Sequence, residues 1–251
     1  MQQNEIVIDT APEPRRVGAM AGWQWLVNAW ALYKRDWLQW TGMTALLMVI
    51  LMVLSIIPLV SVAATLLMPV MIGGMMQAAD RSRRGESFEV TDLFNGFKQN
   101  TGELILVGLF YLIAMMGVMI VLGLLAAVVG LAAYATDTGM DGAGLDISSQ
   151  GVTVGIVLFG VLCFFALLAV YSTYFFAPTL VMLRGMKAAE AMKLSALAFW
   201  RNIWAILLYS VMVFVAALIA VLPFLLGLIV LMPVGMLVSY TSFIDIFGEE
   251  N

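Results

Sequence analysis

Four long stretches of this sequence carry no charged side chain, and no other feature limits the possible folds so tightly. Asp, Glu, Lys and Arg are all missing between Asp36 and Asp80, Glu103 and Asp137, Asp146 and Arg184, and Arg201 and Asp245, gaps of 43, 33, 37 and 43 residues. Crossing the hydrocarbon core of a bilayer takes about 20 apolar residues in a helix. Each of the two longest gaps therefore has length for two crossings, and each shorter gap for one long or tilted crossing. Pro58 and Pro223 stand near the middles of the longest gaps, where a residue without an N–H donor interrupts a helical ladder. The expected spans are residues 40–57, 59–79, 104–135, 152–183, 203–222 and 224–244. Barrel strands would alternate in polarity over about ten residues, and TALLMVILMVLSII does not. With 63% apolar and 11% charged residues, the chain is also far from the soluble norm of roughly half apolar and a quarter charged. The fold class is all-α: a polytopic membrane protein with six transmembrane helices plus interfacial amphipathic helices.

The basic residues predict orientation. All twelve Lys and Arg fall before the first span, after the second or after the fourth, and basic loops stay cytoplasmic. Both chain ends are thereby expected in the cytoplasm of a bacterial inner membrane, with the loop bearing Asp137, Asp141 and Asp146 outside. Residues 1–20 are polar and proline-bearing with no apolar signal region; they are expected as a disordered cytoplasmic tail ahead of a single six-helix domain over 21–251. The one cysteine, Cys163, lies within a span and there is no histidine, which excludes an intrachain disulfide.

The two longest gaps resemble each other. Asp36 stands 22 residues before Pro58 and Arg201 stands 22 before Pro223. LLMPV around Pro69 answers VLMPV around Pro233, and Asp80 and Asp245 follow. A weaker third copy runs from LFNGFKQNTGELIL to FFAPTLVML, with Pro178 in the place of the other two prolines. The sequence thus reads as an internal repeat of two, with a weaker third, helix-pair units, each led in by an aromatic, basic stretch.

All seven tryptophans, Trp23, Trp25, Trp30, Trp37, Trp40, Trp200 and Trp204, belong to the basic side. They form either an ordinary aromatic belt of interfacial anchors or the faces of helices lying in the interface around residues 22–37 and 187–200. Arginines next to a span attract anionic headgroups at about 1 kcal/mol each. The candidate headgroup contacts are Arg35, Arg81, Arg83, Arg84, Lys187 and Arg201, the alternative being a plain topology determinant. Asp92 is positioned to cap a helix over LFNGFK. Pro69, Pro178 and Pro233 are helix breaks whose freed carbonyls need partners; they serve either packing kinks or a solute path, for which Gly73, Gly74 and Thr179 are the nearest candidates. Small residues four apart, Gly151 with Gly155, Ala126 with Gly130, Ala216 with Ala220 and Gly235 with Ser239, permit close helix contact. The three loop aspartates lack calcium-loop spacing.

No charged residue falls inside a span, which argues against a proton-coupled carrier. No catalytic, zinc or nucleotide-binding constellation is present, so an enzyme is not expected, nor a cofactor, a metal or a nucleic-acid partner. The lead-in GWQWLVNAWALYKRDWLQW, the turn IIPLV and above all MIGGMMQAADRSRRGESFEVTDLFNGF resemble a family of Gram-negative inner-membrane proteins of this length. The architecture is similar to YciC-type proteins and to the membrane portion attached to some glycerophosphodiester phosphodiesterases. That resemblance implies location and fold and carries no catalytic residues; the phosphodiesterase domain itself is missing. The functional expectation is a non-enzymatic protein that binds anionic lipid headgroups or a membrane partner, such as a second copy, through its Trp/Arg-rich face in envelope organisation. The alternative is a transporter or flippase-like carrier of a small or lipidic solute.

Overall fold

The computed structural model describes residues 13–56, 58–137, 149–222 and 226–248. Ile57, Pro223 and the loop acids Asp141 and Asp146 lie outside the described residues, as does the tail before residue 13. Among the described residues there are nine α-helices, one 3-10 helix and no strand: α1 (Ala21–Arg35), α2 (Trp37–Ser55), α3 (Pro58–Arg83), the 3-10 helix (Val90–Phe97), α4 (Thr101–Asp137), α5 (Ser149–Tyr174), α6 (Ala177–Arg184), α7 (Ala188–Arg201), α8 (Ile203–Val221) and α9 (Leu226–Phe247). Six segments are long and apolar enough to cross a membrane: α2, α3, α4, α5 with α6, α8 and α9. The chain is a multi-pass membrane protein.

Backbone hydrogen bonds cannot be left open in hydrocarbon, so the apolar runs close on themselves as helices. Interruptions occur where side chains supply substitutes. Asp36 between α1 and α2 has φ −130° and ψ 43°, and Asn202 between α7 and α8 has φ −116° and ψ 25°. These two corners match each other, so the second lead-in ends on Asn202, one residue past the Arg201 of the sequence alignment. A third corner, ahead of α4, is turned by Asn100 at φ 53°, whose Nδ2 donates to the Val181 carbonyl at 3.0 Å.

The three membrane pairs connect in one cyclic pattern. The second helix of each pair packs on the short helix that leads into the next: α3 on the 3-10 helix, α5 and α6 on α7, and α9 back on α1. Glycines make the first of these contacts possible. A Cβ on Gly74 would strike the Leu93 carbonyl and one on Gly96 the Val70 carbonyl, so α3 and the 3-10 helix touch backbone to backbone. Gly73 and Gly74, candidates for a solute path by sequence, thus belong to a packing seat: Gly73 faces Leu104 and Met182.

α3, α6 and α9 meet near the middle. Arg184 at the end of α6 donates to the Gly248 carbonyl just past α9 at 3.0 Å, and the Phe176 and Phe247 rings meet at 5.7 Å. The largest fully buried side chains, among them Trp25, Trp40, Phe176, Phe199, Tyr240 and Phe243, gather toward the end of the bundle that carries the Lys and Arg. Toward the opposite end, Val49, Ile56, Leu218 and their neighbours are exposed, as expected where lipid tails replace a protein core.

Two expectations are corrected. Pro178 does not sit inside a helix: α5 stops at Tyr174, and Pro178 lies at the start of α6, where a missing N–H costs nothing. Ser195 of α7 spans this break, its Oγ accepting from the Phe176 amide at 2.9 Å and donating to the Ser172 carbonyl at 2.8 Å. Pro69 and Pro233, also read as helix breaks, lie instead inside the uninterrupted helices α3 and α9. Within the segment expected as a disordered tail, Arg15 and Val17 are hydrogen-bonded to the bundle. The Arg15 amide donates to the Ile246 carbonyl at 2.8 Å and the Val17 amide to Asn202 Oδ1 at 2.8 Å, so the segment from residue 13 is docked.

Candidate functional site

The charged end of the bundle holds every Lys and Arg, yet most of the arginines are already engaged. Arg84 pairs with Asp80, and Arg83 lies 3.7 Å from the same carboxylate. Asp80 is nearly buried and also accepts the Tyr240 hydroxyl at 2.8 Å, and that hydroxyl accepts from Arg83 Nε at 2.8 Å. Arg81 contacts Asp92 at 3.0 Å and Glu86 at 3.6 Å. Asp92, read as the cap of a helix starting at Leu93, lies instead inside the 3-10 helix: Glu89 is the N-cap, and Asp92 as the third residue of a capping box accepts the Glu89 amide. Arg35 donates to Ser82 at 2.7 Å and to Asp36 at 3.2 Å, and Ser82 donates to Asp36 at 2.9 Å. Arg35, Arg81, Arg83 and Arg84 therefore knit α1, α3, α9 and the 3-10 helix together, and their positive charge is largely spent on internal carboxylates.

Six other cations are exposed and have no carboxylate partner among the described residues: Arg16, Lys34, Lys98, Lys187, Lys193 and Arg201. Lys187 and Arg201 are the two sequence candidates left available. Lys193 and Lys34 were missed, although each stands one helical turn from an apolar or aromatic neighbour, Leu197 and Trp30. On α1, Trp23, Val27, Trp30 and Lys34 share one exposed face, while Gly22, Trp25, Ala29 and Tyr33 form the buried one. On α7, Lys193, Leu197 and Trp200 are exposed, and Ala188, Ala191, Met192, Ser195, Ala198 and Phe199 are buried. An exposed face that mixes indoles, aliphatics and ammonium groups suits the headgroup region, where a ring lies in the apolar layer and its polar edge stays wet.

The tryptophans divide accordingly. Trp23, Trp30, Trp37, Trp200 and Trp204 are exposed, whereas Trp25 and Trp40 are 1% and 0% exposed. Trp25 Nε1 donates to Asp245 Oδ2 at 2.7 Å, and Trp40 packs against Phe88 with ring centroids 4.5 Å apart and planes tilted by 40°. These two belong to the core, leaving five as anchors. The signal was available: Trp25 shares its face with Gly22 and Ala29, small residues that let a neighbouring helix approach.

Two apolar clefts adjoin this end. One, of about 420 Å³, lies between α1 and the α8–α9 pair and is lined by Trp23, Val27, Trp30, Ile219, Val230 and Val234 among others. It begins at the exposed indoles and runs up the groove toward the opposite end. The other, also about 420 Å³, is central: α3, α5, α6 and α9 line it, with Met75, Tyr171, Tyr174, Pro178, Tyr209 and Ser239 prominent. α5 and α8 make no extensive contact, and Tyr171 is 44% exposed in the gap between them. A polar cup of about 300 Å³ at the charged end, lined by Gln77, Asp80, Arg81, Arg84 and Arg184, sits where α3, α6 and α9 meet.

Neutral residues that sequence reading passed over hold this end together. Asn202 is 2% exposed and its amide donates to the Arg15 and Ala198 carbonyls, each at 3.0 Å. Glu103 accepts the Ala188 amide at 2.7 Å, placing a carboxylate at the N-terminus of α7, where the helix dipole favours it. No group of three His, Cys, Asp or Glu side chains placed to hold a metal occurs among the described residues.

The charged end is therefore a scaffold of internally neutralised arginines framing two helices that offer cations and indoles outward. A family model described as "Domain of unknown function (DUF7847)" matches residues 17–247. No curated protein and no solved structure matches the chain.

Proposed function

Since the chain belongs to the DUF7847 family, whose description assigns no activity, we propose its function from the geometry. It is a non-enzymatic membrane protein that holds anionic phospholipid at its basic face. Lys34, Lys193 and Arg201 take the headgroup phosphates, Trp23, Trp30, Trp200 and Trp204 set the depth of α1 and α7, and acyl chains occupy the groove between α1 and α8–α9. One observation carries this reading: exposed cations without carboxylate partners stand on the same helix faces as exposed indoles, and on α1 those indoles, Trp23 and Trp30, line an apolar cleft. Each such cation contributes about 1 kcal/mol of attraction to an anionic surface. The positive-inside rule supports a cytoplasmic basic face, and with it the resemblance read from the sequence supports a bacterial inner membrane. The matching Asp36 and Asn202 corners and the cyclic contacts support reading the chain as three tandem helix-pair units.

The test is native mass spectrometry of the full chain released from mixed phosphatidylglycerol and phosphatidylcholine. The Lys34→Ala/Lys193→Ala/Arg201→Ala variant retains at least fivefold less phosphatidylglycerol with phosphatidylcholine unchanged; Arg84→Ala, whose charge is committed to Asp80, retains as much as the parent. Equal retention by the triple variant refutes the assignment. The central cleft favours a second reading, a carrier of a lipidic solute, because it opens toward lipid between α5 and α8 and presents tyrosine hydroxyls. Solute flux in proteoliposomes that Pro178→Ala abolishes would support that reading over the first.

A further inference from the structure

The three helix pairs do not have the same length. α2 and α8 have 19 residues each, about 28 Å at 1.5 Å per residue, which matches a hydrocarbon core of about 30 Å. α4 has 37 residues, about 55 Å. The three pairs can be levelled against one another. Tyr111 of α4 and Tyr174 of α5 meet at 4.7 Å, in a small cleft shared with Leu51 of α2 and Thr65 of α3. From that level α3 continues about 10 Å to its start at Pro58, whereas α4 continues about 39 Å to Asp137. α5 accompanies α4 and packs extensively against it.

The far part of the α4–α5 hairpin thus projects roughly 30 Å past the neighbouring pair, and its exposed side chains within residues 124–134 and 154–162 are largely apolar. Eleven large apolar side chains within residues 124–134 and 154–162, including Leu124, Val128, Leu131, Val154, Val157 and Leu158, are each at least 37% exposed. At roughly 150 Å² per side chain they present on the order of 900 Å², above the roughly 300–600 Å² of the largest apolar patch on an ordinary monomer. Hiding the whole helix in the core would take a tilt above about 50°, outside the usual range of roughly 0–40°.

We propose that the projecting α4–α5 hairpin is the dimer interface of this protein, pairing with the same hairpin of a second copy as a four-helix bundle. A lone antiparallel pair is half of such a bundle, and two-fold pairing lets one surface serve both partners. One face of the hairpin, taken with its continuation into the bilayer, supplies about the 800 Å² per partner that a specific interface needs. The glycines agree with this. Gly22, Gly74, Gly96, Gly108 and Gly227 are each closed over by a neighbouring segment, whereas Gly123, Gly130, Gly155 and Gly160 have nothing within 4 Å of the place a Cβ would take. The hairpin is the part of the chain whose close-approach surface has no partner within the chain.

The test starts from a Cys163→Ala background, which removes the one native thiol. Leu131→Cys and Val157→Cys, both at exposed positions, are oxidised in native membranes, and the full chain is weighed by native mass spectrometry. The expected result is a cross-linked dimer from at least one position and a dimer mass for the parent. Gly130→Leu with Gly155→Leu, which meets no atom inside the chain, lowers the dimer fraction at least tenfold at an unchanged melting temperature. A monomer at all concentrations, a dimer indifferent to the leucines, a different protein cross-linked in place of a second copy, or lipid-depth quenching that puts residue 131 inside the hydrocarbon would each overturn the proposal.

Discussion

Replacing Asn202 by Ala isolates one tether at the charged end. Its side chain holds the segment ahead of α1 through two hydrogen bonds, from the Val17 amide at 2.8 Å and to the Arg15 carbonyl at 3.0 Å. The same segment is held separately by the Arg15 amide on the Ile246 carbonyl and the Arg15 guanidinium on the Asp245 carbonyl at 2.6 Å. Each neutral hydrogen bond contributes about 1 kcal/mol net, so Asn202→Ala loosens the docking by about 2 kcal/mol. At 1.4 kcal/mol per tenfold, the undocked population rises about 30-fold. Arg15 and Arg16 offer trypsin two cleavage points in this segment, and when opening is fast the cleavage rate follows the open population. Timed digestion of the full chain in detergent, followed by intact mass, therefore shows cleavage after Arg15 or Arg16 accelerating about 30-fold. Asn202→Asp keeps the acceptor and loses the donor, and accelerates cleavage about fivefold. Parent-like cleavage in both variants would refute the tether.

Three further outcomes follow from named contacts. Asp80→Asn removes a carboxylate shared by Arg83, Arg84 and Tyr240 and destabilises the chain by about 2 kcal/mol in SDS titration, whereas Arg84→Ala, at an exposed guanidinium, costs under about 1 kcal/mol. Ser195→Ala leaves the Phe176 amide and Ser172 carbonyl without their bridging hydroxyl and costs about 2–3 kcal/mol; a thermal melt indistinguishable from the parent would remove Ser195 from its role at the break. Gly96→Leu drives a side chain into the Val70 carbonyl and lowers the melting temperature in detergent by an overpacking cost of at least about 1–3 kcal/mol, with an unchanged melt contradicting the close contact.

The six spans were legible because desolvating a charge in hydrocarbon is so unfavourable that its absence over 33 to 43 residues marks the membrane directly. The start of α8 at Ile203 coincides with the expected one, and α2 begins three residues earlier than expected. All three prolines read as helix breaks, and which of them ends its helix was not legible: Pro178 does, Pro69 and Pro233 do not. Three prolines in similar settings differ only because Ser195, on another helix, supplies two hydrogen bonds beside one of them. The internal pairing of the arginine candidates was partly legible. Asp80 stands three and four residues before Arg83 and Arg84, one helical turn away, whereas the Tyr240 hydroxyl that joins them is 160 positions from Asp80 and leaves no mark in local sequence. Trp25 and Trp40 were grouped with the interfacial indoles by composition, and helical phase alone separates Trp25, beside Ala29 and Tyr33, from Trp23 and Trp30.

The account rests on every cation lying at one end of a bundle that crosses the membrane six times. In a Cys163→Ala background, single cysteines at Arg16, Lys98, Lys187 and Tyr134, all exposed, are treated with a membrane-impermeant maleimide in sealed vesicles of each orientation. The first three positions label from one side and position 134 from the other. Labelling of any two of the three basic positions from opposite sides, or of position 134 from their side, would contradict it.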